Sequence, residues 1–147
     1  MSGTSPNSGI YTMNQLQQPF NILHVDDEED FLGLTKTFFS KIDKKLHIST
    51  ALHGEEALFF IKSGRKCDLV ISDYHMPEMN GLEFFRELRT LDNNVPFILL
   101  TGKASEREEE RARLIGVDLY LQKKNPVELF SSLYLFILDL EKSKGRV

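Results

Sequence analysis

Leu69-Val70-Ile71-Ser72-Asp73, at residues 69–73, is the stretch on which the fold reading turns. Its apolar part does not alternate with polar residues, as suits a strand buried on both faces. It ends on a carboxylate, crosses a loop containing Pro77 and Gly81, and gives way to a helical pattern near 82–91. Outward from this unit the same alternation recurs. The apolar runs are Phe20–Val25, Leu46–Ala51, Leu69–Ser72, Pro96–Thr101 and Val117–Leu121. Helical patterns lie near 28–42, 54–63, 82–91, 105–115 and 126–142. Buried strands separated by helices imply a parallel sheet covered on both sides, so the chain reads as an α/β doubly wound (βα)5 unit. Local end signals agree. Ser105 and Glu108 have capping-box spacing, Gly116 stands where a helix ends, and Asn125-Pro126 reads as a cap followed by proline at the first helical position.

The length of 147 residues suits one domain with tails. Residues 1–18 are polar and rich in Ser, Gly, Asn and Gln, and are expected to form a flexible tail. The domain is expected over 19–143, with a short tail over 144–147. A composition of 41% hydrophobic and 27% charged residues excludes a disordered or collagen-like chain. No run of 18 apolar residues spans a membrane, and no secretory signal is read at the N-terminus. Cys67 is the sole cysteine, which excludes an intrachain disulfide and zinc sites built on paired cysteines, so a cytoplasmic location is expected. Eighteen Lys and Arg against 22 Asp and Glu give a net charge of −4, which argues against direct nucleic-acid binding by charge.

In doubly wound sheets ligands bind beyond the carboxyl ends of the strands. The first strand ends at Asp26-Asp27-Glu28, the third at Ser72-Asp73, the fourth at Thr101-Gly102-Lys103 and the fifth at Lys123-Lys124. An Asp-Asp pair before a helix also serves as a cap and offsets the helix dipole. A third carboxylate nearby changes that reading, because three would repel unless a cation lay among them. Oxygen ligands alone suit Mg2+, which keeps waters and takes few carboxylates. Such an ion leaves a position for a phosphoryl oxygen. Lys123 can neutralise the phosphate, Thr101 can donate to it, and Asp73 can act as nucleophile to give an aspartyl phosphate.

The set Asp26-Asp27, Ser72-Asp73-Tyr74-His75-Met76-Pro77-Glu78-Met79-Asn80-Gly81, Thr101-Gly102 and Tyr120-Leu121-Gln122-Lys123 resembles the receiver domain of two-component response regulators. His53-Gly54-Glu55-Glu56-Ala57-Leu58 resembles that family's second helix start, and the likeness runs from about Phe20 to Leu140. It implies a CheY-like, flavodoxin-like sandwich with strand order 2-1-3-4-5. It also implies that Asp73 is the phosphoacceptor. Asp26, Asp27, Asp73 and the backbone carbonyl of His75 would hold Mg2+. Thr101 and Tyr120 would be the switch pair, and Lys123 would pair with the phosphoryl group. The phosphoryl donor would be a histidine kinase or an Hpt phosphotransfer protein. Output to a downstream protein would run through the fourth helix, fifth strand and fifth helix, also a candidate homodimer face. The chain would then be a regulator, not an enzyme, promoting only its own phosphorylation and dephosphorylation. It would act either alone or as a receiver within a longer protein. The alternative is a non-phosphorylated pseudo-receiver acting as a protein-interaction scaffold. A Mg2+-dependent hydrolase ranks lower, since His75 fills the slot where a second aspartate would be needed.

The family pattern has Lys-Pro after the fifth strand, with a cis bond before the proline; here Lys123 precedes Lys124, and Pro126 comes later. A cis bond before a non-proline residue costs about 2.5–4 kcal/mol. The expectation is either a strained cis Lys123–Lys124 bond or a rearranged loop. Period-two parity puts Lys123 opposite in face to Tyr120, and so on the site side. His75 and Lys103 flank the path of a hydrolytic water in this family, which suggests slow self-dephosphorylation; both also read as ordinary solvated loop residues. Bland readings fit the remainder. His24 reads as a buried or half-buried, hydrogen-bonded histidine and not a ligand, His47 and His53 as surface, and Cys67 as packing. Phe31, Phe38, Phe59, Phe60, Phe84 and Phe85 read as helix faces against the sheet, and Glu106–Arg113 as a charged, exposed helix face that the resemblance also places on the output surface.

Overall fold

The structure is a computed structural model and describes residues 16–144. Five parallel strands form one sheet in the order β2-β1-β3-β4-β5. They are β1 (Phe20–Val25), β2 (Leu46–Ala51), β3 (Leu69–Asp73), β4 (Phe97–Thr101) and β5 (Leu119–Gln122). Each is followed by a helix: α1 (Glu29–Ile42), α2 (Gly54–Lys62), α3 (Gly81–Thr90), α4 (Glu106–Ile115) and α5 (Pro126–Ser143). This is the class and order expected. Every residue of β3 and β4 is buried, which is why these runs carry no alternation. β5, at the edge, is only half-buried and starts later than Val117. The Val117 amide instead donates to the Ala112 carbonyl at 3.0 Å, closing α4 behind Gly116 in the left-handed region at φ 99°.

The pleat divides the core in two. Leu23, Val25, Val70 and Leu99 pack under α2, α3 and α4 with Phe84, Phe85, Leu88 and Ala112. Ile22, Leu69, Ile71, Ile98 and Leu100 pack under α1 and α5 with Phe39, Phe130, Leu133 and Ile137. Phe59 does not join them and is 75% exposed. Ala57 and Leu58 take the buried stripe of α2, and the next residue lies about 100° further round the helix. His24 also departs from expectation. It is fully buried, yet neither ring nitrogen has a hydrogen-bond partner. Its ring meets Phe31 edge-on at 5.3 Å, and burial, with the Lys123 charge adding, pushes its pKa down to about 3. It packs as a neutral aromatic.

Residues 1–15 of the expected tail lie outside the described residues, but Leu16–Gln18 dock on the domain. Leu16 is buried and its amide donates to Asp43 Oδ2 at 2.9 Å, while the amides of Gln17 and Gln18 donate to the Glu141 carboxylate at 3.1 and 3.0 Å. Asp43 and Glu141 are buried carboxylates that need donors, and these amides supply them. At the other end, Lys144 caps α5, and residues 145–147 lie outside the described residues. None of the described helices is long and apolar enough to cross a membrane.

Helix starts follow side-chain chemistry. Asn125 accepts from the Val127 and Glu128 amides ahead of Pro126. His53, read as surface, caps α2 by accepting from the Glu56 amide. Asn80 and Glu83 close a full capping box on α3. Ser105 accepts from the Glu108 amide at 3.1 Å, but the return half of that box is missing, because the Glu108 carboxylate turns to Tyr120.

Glycine positions give a paired test. A Cβ on Gly81 would lie 2.5 Å from the Asp73 carbonyl oxygen and 2.5 Å from Leu99 Cδ2, whereas one on Gly33, within α1, would meet nothing within 4 Å. Gly81→Ala should lower stability by about 2–4 kcal/mol. Gly33→Ala should raise it by about 0.5–1 kcal/mol. Urea unfolding midpoints of the two variants check both signs.

Candidate functional site

Register brings the strand ends to one rim. Val25 pairs with Ser72, Asp73 with Leu100 and Thr101 with Gln122, so the residues that leave β1, β3, β4 and β5 lie side by side. The Asp26 amide continues the ladder by donating to the Ala51 carbonyl at 3.0 Å. Its Oδ1 accepts from the Glu28 amide at 2.9 Å, which fixes the carboxylate at the entry to α1. Its Oδ2 accepts from Lys123 Nζ at 2.7 Å. Asp26, Asp27 and Asp73 each offer a carboxylate oxygen, and these oxygens lie within 4.8 Å of one another. Asp26 is fully buried, Asp73 is 6% exposed and Asp27 is open to solvent.

Lys123 Nζ is the hub. Besides Asp26 it lies 3.3 Å from Asp73 Oδ1 and 3.3 Å from Glu28 Oε1, and 4.5 Å from the centre of the Phe31 ring. Burial alone would lower its pKa, but the carboxylates, Asp26 foremost, hold it above the ordinary value. One ammonium does not balance three acids. Burial, then the charge of Asp26, pushes the Asp73 carboxyl up to about 6 despite Lys123. Burial also raises Asp26, although its bond to Lys123 opposes this. A cluster of oxygen donors short of positive charge, with one member open to water, fits a hard divalent cation.

The loop after β5 takes the rearranged form of the two expected. Peptide bonds of the described residues are all trans. The Lys123 amide donates to the Thr101 carbonyl at 2.8 Å, carrying the ladder past β5, and the Lys124 amide donates to the Gln122 carbonyl at 2.9 Å to close a tight turn. A proline at 124 could not make that second bond, and without one the trans form is strongly favoured. Lys123 thus reaches the carboxylates. Thr101, buried at the end of β4, donates its hydroxyl to the Lys103 carbonyl at 3.2 Å, and the Lys103 side chain is exposed.

Tyr120 and His75 meet at a second cluster. The Tyr120 hydroxyl donates to Glu108 Oε1 at 3.0 Å and accepts from the Ser105 amide at 3.2 Å. His75 Nε2 stands 2.7 Å from Glu108 Oε2, and since a carboxylate only accepts, the ring nitrogen is the donor. Sequence reasoning named Glu28, Phe31 and Glu108 only as a strand-end acid, a helix-face aromatic and the capping-box partner of Ser105, and gave none of them a role in the site. Nothing in the spacing signalled that Glu28 and Phe31 meet Lys123, or that the Glu108 carboxylate turns to Tyr120 and His75.

The family model for the response regulator receiver domain matches residues 22–134. Response regulator SaeR of Staphylococcus aureus is 33% identical over 110 residues, covering 74% of this chain and 46% of that protein, so the chain spans about half the length of the curated relatives it matches. Among solved structures, the Francisella response regulator 1452 receiver domain superimposes with a TM-score of 0.73 at 26% identity, covering 84% of this chain and 98% of that one. The Thermotoga maritima response regulator TrrA, solved in complex with Mg(2+)-BeF, gives a TM-score of 0.69 at 33% identity, covering 82% and 98%.

The electrostatics of Asp73 carry a stability prediction. With a folded pKa of about 6 against an ordinary 3.8, its contribution is complete below 3.8 and is lost as pH rises through 6. Without metal, ionised Asp73 therefore weakens the fold near neutrality. Asp73→Asn should raise stability at neutral pH in EDTA by about 1 kcal/mol, after discounting for solvent screening. The gain should fade as the pH falls from about 6 towards 4 and be absent below that, where the acid is neutral in both states. Urea titrations of the two proteins across pH measure the difference.

Proposed function

The chain belongs to the response regulator receiver family, and on that premise we propose that it accepts a phosphoryl group on Asp73 and signals through the α4-β5-α5 face. The single observation that carries this reading is the meeting of the Asp26, Asp27 and Asp73 carboxylates at one rim, with Lys123 Nζ on Asp26 and Asp73. Asp26, Asp27, Asp73 and the His75 backbone carbonyl would hold Mg2+, which supplies positive charge to the phosphoryl oxygens when bound. That TrrA was solved with Mg(2+)-BeF supports this assignment.

The donor would be a histidine kinase or an Hpt protein. An oxygen of Asp73 attacks phosphorus in line, the P–O bond forms as the donor's P–N bond breaks, and the imidazole leaves with a proton. Lys123 can then exchange its contact with Asp73 Oδ1 for a phosphoryl oxygen while keeping its 2.7 Å bond to Asp26. Thr101 must release the Lys103 carbonyl to donate to the phosphoryl group. That movement beside Tyr120 would bias the α4-β5-α5 face between two states, for a downstream protein or a second copy to read. The chain is then a signalling protein whose chemistry is its own phosphorylation and dephosphorylation. The Lys123-Lys124 departure, which would favour a scaffold that never takes phosphate, leaves Lys123 at the carboxylates.

Incubation with Mg2+ and acetyl phosphate or phosphoramidate, followed by intact mass measurement, should give one phosphoryl adduct. Asp73→Asn or EDTA should abolish it. No adduct under conditions where Mg2+ binding is demonstrated would favour the scaffold. We also propose that His75 and Lys103 protect the acyl phosphate from water. His75→Asn and Lys103→Glu should then each shorten its half-life, by about twofold to tenfold for a partial barrier of this kind. Fast phosphate loss unchanged in both variants would refute the protection.

A further inference from the structure

We propose that Glu108 is a positioning residue that couples the loop after β3 to Tyr120, through a capping box on α4 that the tyrosine hydroxyl holds open. The box on α3 shows the closed form in this same chain. There the Asn80 amide donates to Glu83 Oε1 at 2.8 Å and the Glu83 amide donates to Asn80 Oδ1 at 2.9 Å. α4 has the same three-residue spacing, and its first half is made by Ser105 Oγ and the Glu108 amide at 3.1 Å. In the second half the Ser105 amide donates to the Tyr120 hydroxyl at 3.2 Å, and that hydroxyl donates to Glu108 Oε1 at 3.0 Å. Tyr120 is thus inserted into the box. The remaining oxygen, Oε2, accepts from His75 at 2.7 Å.

One carboxylate therefore serves two arrangements. With Tyr120 inserted, Glu108 grips both the tyrosine and the residue two positions after Asp73. With Tyr120 withdrawn, the capping-box spacing lets Glu108 return to the Ser105 amide, as Glu83 does to Asn80, and His75 is released. The Ser105 amide is satisfied either way, so neither arrangement leaves that cap donor unpaired. Rotation of Tyr120 and the position of His75 are then exclusive outcomes of a single side chain. Its part in output rests on the receiver reading; the box itself does not.

The test needs no phosphodonor. The imidazole Cε1–H signal of His75 is followed by NMR in the full chain, assigned by its loss in His75→Ala. Tyr120→Phe removes the inserted hydroxyl and should shift that signal. In a Glu108→Ala background the same change should leave it unmoved, whereas Glu108→Gln, which keeps length and hydrogen bonding, should preserve the response. Ser105 amide exchange gives a second readout. It should stay near the wild-type rate in Tyr120→Phe, where Glu108 closes the box, and rise about tenfold when both residues are replaced, as expected for loss of a cap contact. Equal His75 shifts in both backgrounds would overturn the coupling and assign it to the Tyr74 ring, which lies 4.8 Å from His75 and 6.5 Å from Tyr120. No shift in either background, or tenfold exchange already in Tyr120→Phe, would overturn it too. Adding acetyl phosphate to the Mg2+-loaded protein should then move the His75 signal further in the unaltered chain than in Glu108→Ala, where only the direct effect of the nearby phosphoryl group is left. An adduct without that difference overturns the link to output, whereas the absence of any adduct counts against the phosphorylation chemistry and leaves the box standing.

Discussion

A single ammonium group holds the rim of this fold together. Lys123 Nζ reaches Asp26, Asp73 and Glu28 from the end of the edge strand, and rests on the Phe31 ring. Asp26 is fully buried, and a buried carboxylate persists ionised only with a partner. The pairing is incomplete: three acids face one cation, and burial together with the Asp26 charge pushes the Asp73 carboxyl up to about 6 from its ordinary 3.8. That residual imbalance is the one a hard divalent cation among the carboxylates would relieve.

The rest of the fold serves that placement. Parallel pairing puts the carboxyl ends of all strands on one side, and full burial of β3 and β4 leaves their terminal residues nowhere to go but the rim. Close packing under α3 reinforces this, since Gly81 lies against the Asp73 carbonyl and leaves no room for a Cβ. On the opposite face α1 and α5 share an aromatic seam of Phe31, Phe38, Phe39 and Phe130, and residues 16–18 clip onto Asp43 and Glu141 beside it.

Sequence reasoning captured what depends on period and order. Non-alternating runs announced buried parallel strands, and the residues just past each run announced the rim, down to the face of Lys123 from its distance to Tyr120. Where one residue type serves two environments it failed. His24 follows the same pattern as a hydrogen-bonded core histidine but packs as a bare ring. Phe59 sits beside Phe60 with equal hydrophobicity, and only the helix phase separates them. Glu108 belongs to a run whose spacing signals an exposed face, yet its carboxylate turns inward to Tyr120 and His75. Residues 16–18 looked like tail because backbone amides, which make their contacts, leave no trace in side-chain composition.

The most direct measurement of the central claim is the chemical identity of the phosphorylated residue. After treatment with Mg2+ and acetyl phosphate, borohydride reduces an aspartyl phosphate to homoserine, which tandem mass spectrometry locates in the peptide. Homoserine at position 73 alone is the predicted result. Homoserine at Asp26, Asp27 or another acid, or none from a protein shown to bind Mg2+, would contradict it.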